Sequence, residues 1–205
     1  MAGHYYSENP ESAHARREIR SGDSLEFTTD SGVFSRAHVD PGSLLLIDAA
    51  RPCEGRVLDL GCGYGPIGIT LARDYPEAQF VLSDVNRRAV ALCEENIAKN
   101  KIANAKARFS DGCAELDGTF DQIVSNPPIR IGKSALQNMW RDCREKLNDG
   151  GTFWIVIRKK QGAPSAAAFL TELFGNCETV ARKAGYHVLC CKKGESIKTK
   201  EGKRT

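Results

Sequence analysis

Val57-Leu-Asp59-Leu-Gly61-Cys-Gly63-Tyr-Gly65-Pro-Ile-Gly68 is the stretch on which the rest of the chain turns. A short aliphatic run ends at an acid, three glycines follow at alternate positions, and an amphipathic stretch begins at Ile67. This pattern predicts a buried parallel strand, a loop that permits close approach to its backbone, and the start of a helix. Such a turn is expected to leave amide N–H groups facing any small molecule that lies beside it.

Working outward from Arg56, strand-like and helix-like runs alternate. Strands are expected near 57–60, 80–84, 107–109, 122–125 and 152–157, and helices near 67–74, 86–99, 133–147 and 165–174. Alternation of this kind predicts an α/β fold, a doubly wound (Rossmann-like) sheet with right-handed crossovers. At the end of the chain, 177–183 and 187–192 are joined by Ala184-Gly185-Tyr186, too short for a helix. They predict a C-terminal antiparallel hairpin, making a seven-stranded mixed sheet with one strand reversed. Upstream, 16–20 and 24–29 flank Ser21-Gly22-Asp23, which is hairpin-turn chemistry, and Asp40-Pro41 is a helix start running to about Ala50. The expected organisation is an arm, hairpin and helix over 1–50, the main α/β domain over 51–193 and a basic flexible tail over 194–205.

The 205 residues suit one domain, and 41% hydrophobic with 27% charged residues is ordinary for a globular chain. No apolar run is long enough to cross a bilayer and Met1 to Pro10 has no hydrophobic signal core, so the chain is read as cytoplasmic. The eight cysteines show no CxxC pairing, which favours reduced core thiols over disulfides and offers no zinc spacing. The net charge of +3 is concentrated from Lys192 onward, where six Lys/Arg face Glu195 and Glu201. A basic tail suits a polyanion, and equally suits a solvated tail.

Ligands of doubly wound sheets bind at the carboxyl ends of the strands. Asp59, Asp84 and Asp111 all fall at such ends. Asp59 can orient the glycine loop or meet a cofactor amine. A carboxylate at Asp84 can accept both ribose hydroxyls, and one at Asp111 can accept from an adenine amine; a cap is the alternative for each acid alone, and their occurrence at three successive strand ends disfavours it. After the fourth parallel strand comes Ser125-Asn126-Pro127-Pro128-Ile129-Arg130. Two prolines make a rigid turn, and the Asn126 side-chain carbonyl beside the Pro127 carbonyl suits the two hydrogens of a planar exocyclic amine. Holding both draws the nitrogen lone pair out of conjugation and aims it at an electrophile. Gly63-Tyr-Gly65-Pro-Ile-Gly68, however, also matches the GxGxxG dinucleotide fingerprint letter for letter.

Asp59-Leu-Gly61-Cys-Gly63-Tyr-Gly65, Asp84, Asp111 and Asn126-Pro-Pro128 together resemble the class I S-adenosylmethionine methyltransferases that modify exocyclic or amide nitrogens. His4-Tyr-Tyr-Ser-Glu-Asn-Pro10, Phe27 to Ser35, Asp40 to Leu46, Asn126 to Arg130 and Lys159 to Ser165 resemble a narrower group. These are the small single-domain relatives of the RsmC-type guanine-N2 methyltransferases of ribosomal RNA. The resemblance implies S-adenosyl-L-methionine as cofactor, S-adenosyl-L-homocysteine as product, and no metal. Gly61, Gly63 and Gly65 would approach the methionine part with Asp59 behind them, Asp84 would hold the ribose, and Asp111 the adenine edge. Asn126 and Pro127, stiffened by Pro128, would grip the target amine, the N2 of a guanine in 16S-type ribosomal RNA. Phe34 would cover the cofactor or anchor the core.

Two departures from that pattern stand out. Ile129 occupies a position where many enzymes with this motif place an aromatic residue to stack on an unstacked base, and the additional N-terminal domain of longer RsmC-type proteins has no counterpart here. Ile129, Arg130, Lys133 and Lys159 are candidate substrate contacts, with Arg158 and Lys160 as further phosphate-binding charges; the alternative for the five charged residues is ordinary charges at strand ends and helix starts. The implied partner is RNA or a ribosomal particle, without a membrane, as monomer or homodimer. Transfer to DNA adenine or a protein glutamine amide is a rival that Ile129 disfavours. An NAD-type nucleotide-binding module without transfer activity is another, disfavoured by Asp59 and Gly61.

Overall fold

The computed structural model of the chain describes residues 16–21, 25–31, 33, 35 and 37–195. The N-terminal arm, the turn at Gly22-Asp23, Gly32, Phe34 and the tail from residue 196 therefore lie outside the described residues. Two small strands, β1 (Arg17–Ser21) and β2 (Leu25–Thr29), pair antiparallel and lead to α1 (Pro41–Ala49). The alternating part follows as β3 (Arg56–Leu60), α2 (Pro66–Asp74), β4 (Gln79–Asp84), α3 (Arg87–Lys99), β5 (Ala105–Phe109), β6 (Phe120–Ser125) and α4 (Lys133–Lys146). Then come β7 (Leu147–Arg158), α5 (Ala163–Phe174), β8 (Glu178–Lys183) and β9 (Tyr186–Lys192).

The large sheet has seven strands in the order β5-β4-β3-β6-β7-β9-β8. All neighbours are parallel except at β9, which runs against both β7 and β8. The reversed strand is thus the last one, as the short connection at Ala184-Gly185 requires. Strand order changes direction between β3 and β6, and that switch point is where the ends of both strands leave a crevice.

Burial on both faces explains the near-continuous apolar runs of the central strands. Val57 and Val124 contribute to one core with α1, α2, α3 and the hairpin, while Leu58 and Ile123 contribute to the other with α4 and α5. The strand after α4 starts earlier than the periodicity suggested. It begins at Leu147, directly after the helix, with a register shift against β6 between Phe120 and Gln122. The polar Asn148-Asp149-Gly150-Gly151 segment falls within that register shift and is held by Gly150 N donating to Lys193 O at 2.9 Å, Lys193 N donating to Gly151 O at 2.8 Å and Asn148 Nδ2 donating to Asp121 Oδ1 at 2.7 Å.

The hairpin is tied to α3 by amide side chains that mimic a strand partner. Asn96 Oδ1 accepts from Thr28 N at 2.7 Å, its Nδ2 donates to Thr28 O at 2.9 Å, and Asn100 repeats the arrangement with Glu26 at 3.1 and 2.8 Å. Asn96 Nδ2 also reaches Tyr64 O at 2.9 Å, and the Tyr64 ring meets Phe27 edge-on with centroids 5.7 Å apart. The N-terminal part is therefore packed on the glycine loop itself. All eight cysteines are free thiols; Cys191 is buried in β9 and Cys190 half-buried.

Candidate active site

A cavity of about 690 Å³ opens at the switch point. One end is lined by Gly61, Gly63, Asp84 and Asp111, the other by Asn126, Pro127, Pro128, Ile129 and Arg130. Two hydrogen bonds fix these ends relative to the sheet. Ser83 O accepts from Gly61 N at 2.8 Å and Cys62 N at 2.9 Å, which pins the glycine loop to β4. Ser125 Oγ donates to Leu60 O at 2.8 Å, pinning the start of the Asn-Pro-Pro turn to β3.

The loop amides are not free as the sequence pattern suggested. Gly61, Cys62, Gly63 and Gly65 donate to Ser83 O, Ser83 O, Asp84 Oδ2 and Cys62 O. At the start of α2, Pro66 has no N–H and Gly68 N donates to Asp59 Oδ2 at 2.8 Å. A pyrophosphate needs those donors, and here a protein carboxyl already occupies the end of the helix. The dinucleotide reading of GxGxxG fails on this point.

Asp59 is fully buried and lies beneath the loop, off the cavity wall, with Oδ1 lacking a partner among the described residues. Its role is to hold α2 against β3. Gly68 makes this possible, since a Cβ there would sit 2.6 Å from Leu82 Cγ and 3.0 Å from Asp59 Oδ2. Burial raises the Asp59 carboxyl to about 7, against the lowering effect of the Gly68 N–H, with nearby Asp84 adding to the rise. The folded chain therefore keeps a proton that the unfolded chain releases near pH 4, so the contribution to stability is complete below about pH 4 and lost as pH rises through about 7. Asp59→Asn keeps an acceptor for Gly68 and cannot ionise. Its urea midpoint is expected to change less between about pH 5 and about pH 8 than that of the native chain; an identical pH dependence would sink this account.

The three glycines divide into two kinds. Gly61 (φ 73°) and Gly63 (φ 59°) are in the left-handed region, line the cavity, and a Cβ built on either meets nothing within 4 Å. They form a cradle that side chains would fill. Gly65, expected beside them at the ligand, is instead off the wall: a Cβ there would lie 2.7 Å from both Cys93 Sγ and Ile69 Cδ1. Its φ of 93° turns the chain into α2 and its bare Cα admits those two side chains.

Asp84 is half-buried at the end of β4, accepting from Gly63 N at 2.9 Å and Asn86 N at 2.8 Å. Burial pushes its carboxyl up, opposed by the backbone N–H groups of Asn86, Gly63 and Val85. Each oxygen keeps lone pairs for a ligand hydroxyl. Asp111 is exposed on the wall after β5, held through its own N–H by Glu115 Oε2 at 2.8 Å. An open cradle whose Gly61, Cys62, Gly63 and Gly65 amides are already bonded, beside two carboxyls spaced along successive strand ends, fits an adenosine bearing an amino-acid tail.

At the other end, Asn126 Nδ2 donates to Ser43 Oγ at 3.0 Å and to Asp40 Oδ2 at 3.2 Å. These two partners decide which way the carboxamide faces, leaving Oδ1 without a donor among the described residues. Asp40 is the N-cap of α1, accepting from Gly42 N at 2.8 Å and Ser43 N at 3.1 Å, and its Oδ1 accepts from Tyr186 OH at 2.9 Å. Gly42 admits the Tyr186 ring, which a Cβ would contact at 2.5 Å. Tyr186 in β9 is directly opposite Arg158 in β7, whose guanidinium lies 4.5 Å from the ring centroid with Nη2 2.5 Å from the hydroxyl.

Asp40 and Ser43 read as a helix start within a stretch that carries the resemblance, and Tyr186 as a hairpin residue; no local pattern places them behind Asn126. Ile129 and Arg130 do line the cavity, whereas Lys133 lines a smaller adjoining pocket of about 290 Å³ with Trp140 and Gln161. Lys159 lines neither, since the 3-10 turn that follows β7 (Lys159–Gln161) carries it away and leaves Arg158 on the wall. Tyr186 also lines the cavity, buried between Gly42 and the Arg158 guanidinium.

Among the described residues no cluster of His, Cys, Asp and Glu could hold a metal ion, and no helix is long and apolar enough to cross a membrane. A family model described as methyltransferase small domain matches residues 24–190. YbxB of Bacillus subtilis is 45% identical over 201 residues, covering 94% of this chain and 100% of that protein. The ribosomal RNA small subunit methyltransferase C of Shewanella amazonensis is 37% identical over 182 residues, covering 87% of this chain and 52% of that protein. Among solved structures, a T. thermophilus 16S rRNA N2 methyltransferase, RsmC, in complex with AdoMet and guanosine superposes with a TM-score of 0.77 at 31% identity, covering 89% of this chain and 51% of that one. The chain thus spans about half the length of the RsmC relatives it matches.

Proposed function

The chain belongs to the methyltransferase small domain family, and from that premise we propose that it is an S-adenosylmethionine-dependent methyltransferase acting on the exocyclic N2 amine of a guanine in small-subunit ribosomal RNA. The observation that carries this reading is the fixed carboxamide of Asn126, whose Nδ2 is bound by Asp40 and Ser43 so that Oδ1 is left for an amine donor. The names of the RsmC relatives support the acceptor.

In this reading Gly61 and Gly63 receive the methionine part of the cofactor, Asp84 the ribose hydroxyls and Asp111 the adenine edge. The bound cofactor supplies an electrophilic methyl group on a sulfonium. Asn126 Oδ1 and the Pro127 carbonyl accept the two N–H groups of guanine N2, which frees its lone pair for attack. The rigid turn built by Pro127 and Pro128 keeps both acceptors in place, so the contribution is positioning and electrostatics. No residue is required as a strong base, because the methylated, positively charged amine is acidic enough to release its proton to water. A base whose edge is used in this way must be unstacked, and Ile129 supplies apolar wall for it.

The test is incubation of the purified protein and S-adenosylmethionine with small-subunit ribosomal RNA and with ribosomal particles, followed by nucleoside mass spectrometry. N2-methylguanosine is the expected product. Methylated adenine, or label entering ribosomal protein instead of RNA, would overturn the assignment.

A further inference from the structure

We propose that Arg158 selects guanine over other purines, by donating from its guanidinium to O6 and N7 of the acceptor base while the N2 amine is held at Asn126 and Pro127. This rests on the guanine-N2 reading above and extends it. Amine geometry alone cannot choose the base, since Asn126 and Pro127 offer acceptors to any exocyclic amine. A second group must therefore read the opposite edge.

Arg158 is on the same cavity wall as Asn126 and is tied to it by consecutive contacts: Arg158 Nη2 to Tyr186 OH at 2.5 Å, Tyr186 OH to Asp40 Oδ1 at 2.9 Å, and Asn126 Nδ2 to Asp40 Oδ2 at 3.2 Å. The guanidinium carbon lies 4.5 Å from the centroid of the Tyr186 ring, and the contact with the hydroxyl ties one end of the group. The fork is thus held at a set place relative to the amine grip. It is exposed, and the Tyr186 bond uses only one of its several N–H donors. A planar pair of donors matches the O6 and N7 acceptors of guanine, whereas a purine with an amine at position 6 would present a donor to a donor.

The test compares native protein, Arg158→Ala, Arg158→Lys and Tyr186→Phe on an RNA oligonucleotide carrying the methylated position, with guanine or 2,6-diaminopurine as target. Both bases have the N2 amine, and only guanine has O6. Native protein is expected to prefer guanine in kcat/KM by about 10- to 100-fold. Arg158→Ala should bring that ratio close to one by lowering the guanine value alone. Arg158→Lys, which keeps the charge but lacks the fork, should recover only part of the preference. Tyr186→Phe keeps the ring and loses the hydroxyl, so it should lower the ratio even if the arginine variants fold poorly. Equal losses on both bases with an unchanged ratio would overturn the proposal in favour of a phosphate contact. Native protein that transfers to neither base would overturn the guanine reading itself.

Discussion

Asn126→Ala is expected to reduce methyl transfer by about a hundredfold to a thousandfold, while the dissociation constant for S-adenosylmethionine, read by calorimetry, changes little. The separation follows from the layout of the cavity. The carboxamide is at the acceptor end, where its hydrogen bonds run through Nδ2 to Asp40 and Ser43 and not to the glycine loop or Asp84. Truncation removes one of the two acceptors for the amine, so the nitrogen keeps its conjugation with the ring and its lone pair is not directed at the methyl group. The loss falls on kcat, because an interaction that matters mainly at the transition state has been deleted. Asp40 and Ser43 stay in place, since Asp40 remains the cap of α1 through Gly42 N and Ser43 N. Transfer at the native rate would show that the amine is not gripped here, and a large fall in cofactor affinity would show that the two ends of the cavity are not independent.

Asp84→Ala is expected to act in the opposite sense, weakening S-adenosylmethionine and S-adenosylhomocysteine binding by about a hundredfold. Two hydroxyl-to-carboxylate bonds contribute about 1.5 kcal/mol or more each, and together they correspond to roughly that factor. A second loss comes from within the protein, because Asp84 also holds Gly63 N at 2.9 Å and Asn86 N at 2.8 Å. Removing it releases the loop that forms the cradle. Asp84→Asn separates the two effects: it retains one acceptor, so the loop stays partly tied while one ribose contact is lost, and an intermediate affinity is expected. Unchanged affinity in Asp84→Ala would place the ribose elsewhere.

Much of the architecture could be read before any coordinates because its signals are local. The apolar runs at β3, β4 and β6, the Asp40-Pro41 start of α1 and the short turn at Ala184-Gly185 each specify their own element. The same holds for Asn126-Pro-Pro128, whose rigidity is a property of the prolines. Where the reading went astray, the deciding contact came from elsewhere. Gly65 looked equivalent to Gly61 and Gly63, and only the packing of Cys93 and Ile69 against it shows that it faces the other way. The loop amides looked free, and Ser83, Asp84 and Asp59 take them. Leu147 reads as the end of a helix, and only its pairing with Phe120 of β6 makes it the start of a strand.

By itself, then, the sequence determined the order of strands and helices, the reversal at the end of the sheet, and which acids and which amide stand at the strand ends. Periodicity and turn chemistry act over a few neighbouring residues and need no partner from afar. The tertiary structure alone decided what each of those groups does. Asp59 and Asp84 are both carboxylates at the ends of adjacent strands, yet one is sealed under the loop and the other faces the cavity. Asp40 meets Asn126 across 86 residues and Tyr186 across 146, because α1 packs against β7 and β9 and the β7–β9 register sets Tyr186 opposite Arg158. Contacts at such separation depend on how whole elements pack, and no stretch of the chain carries that information by itself.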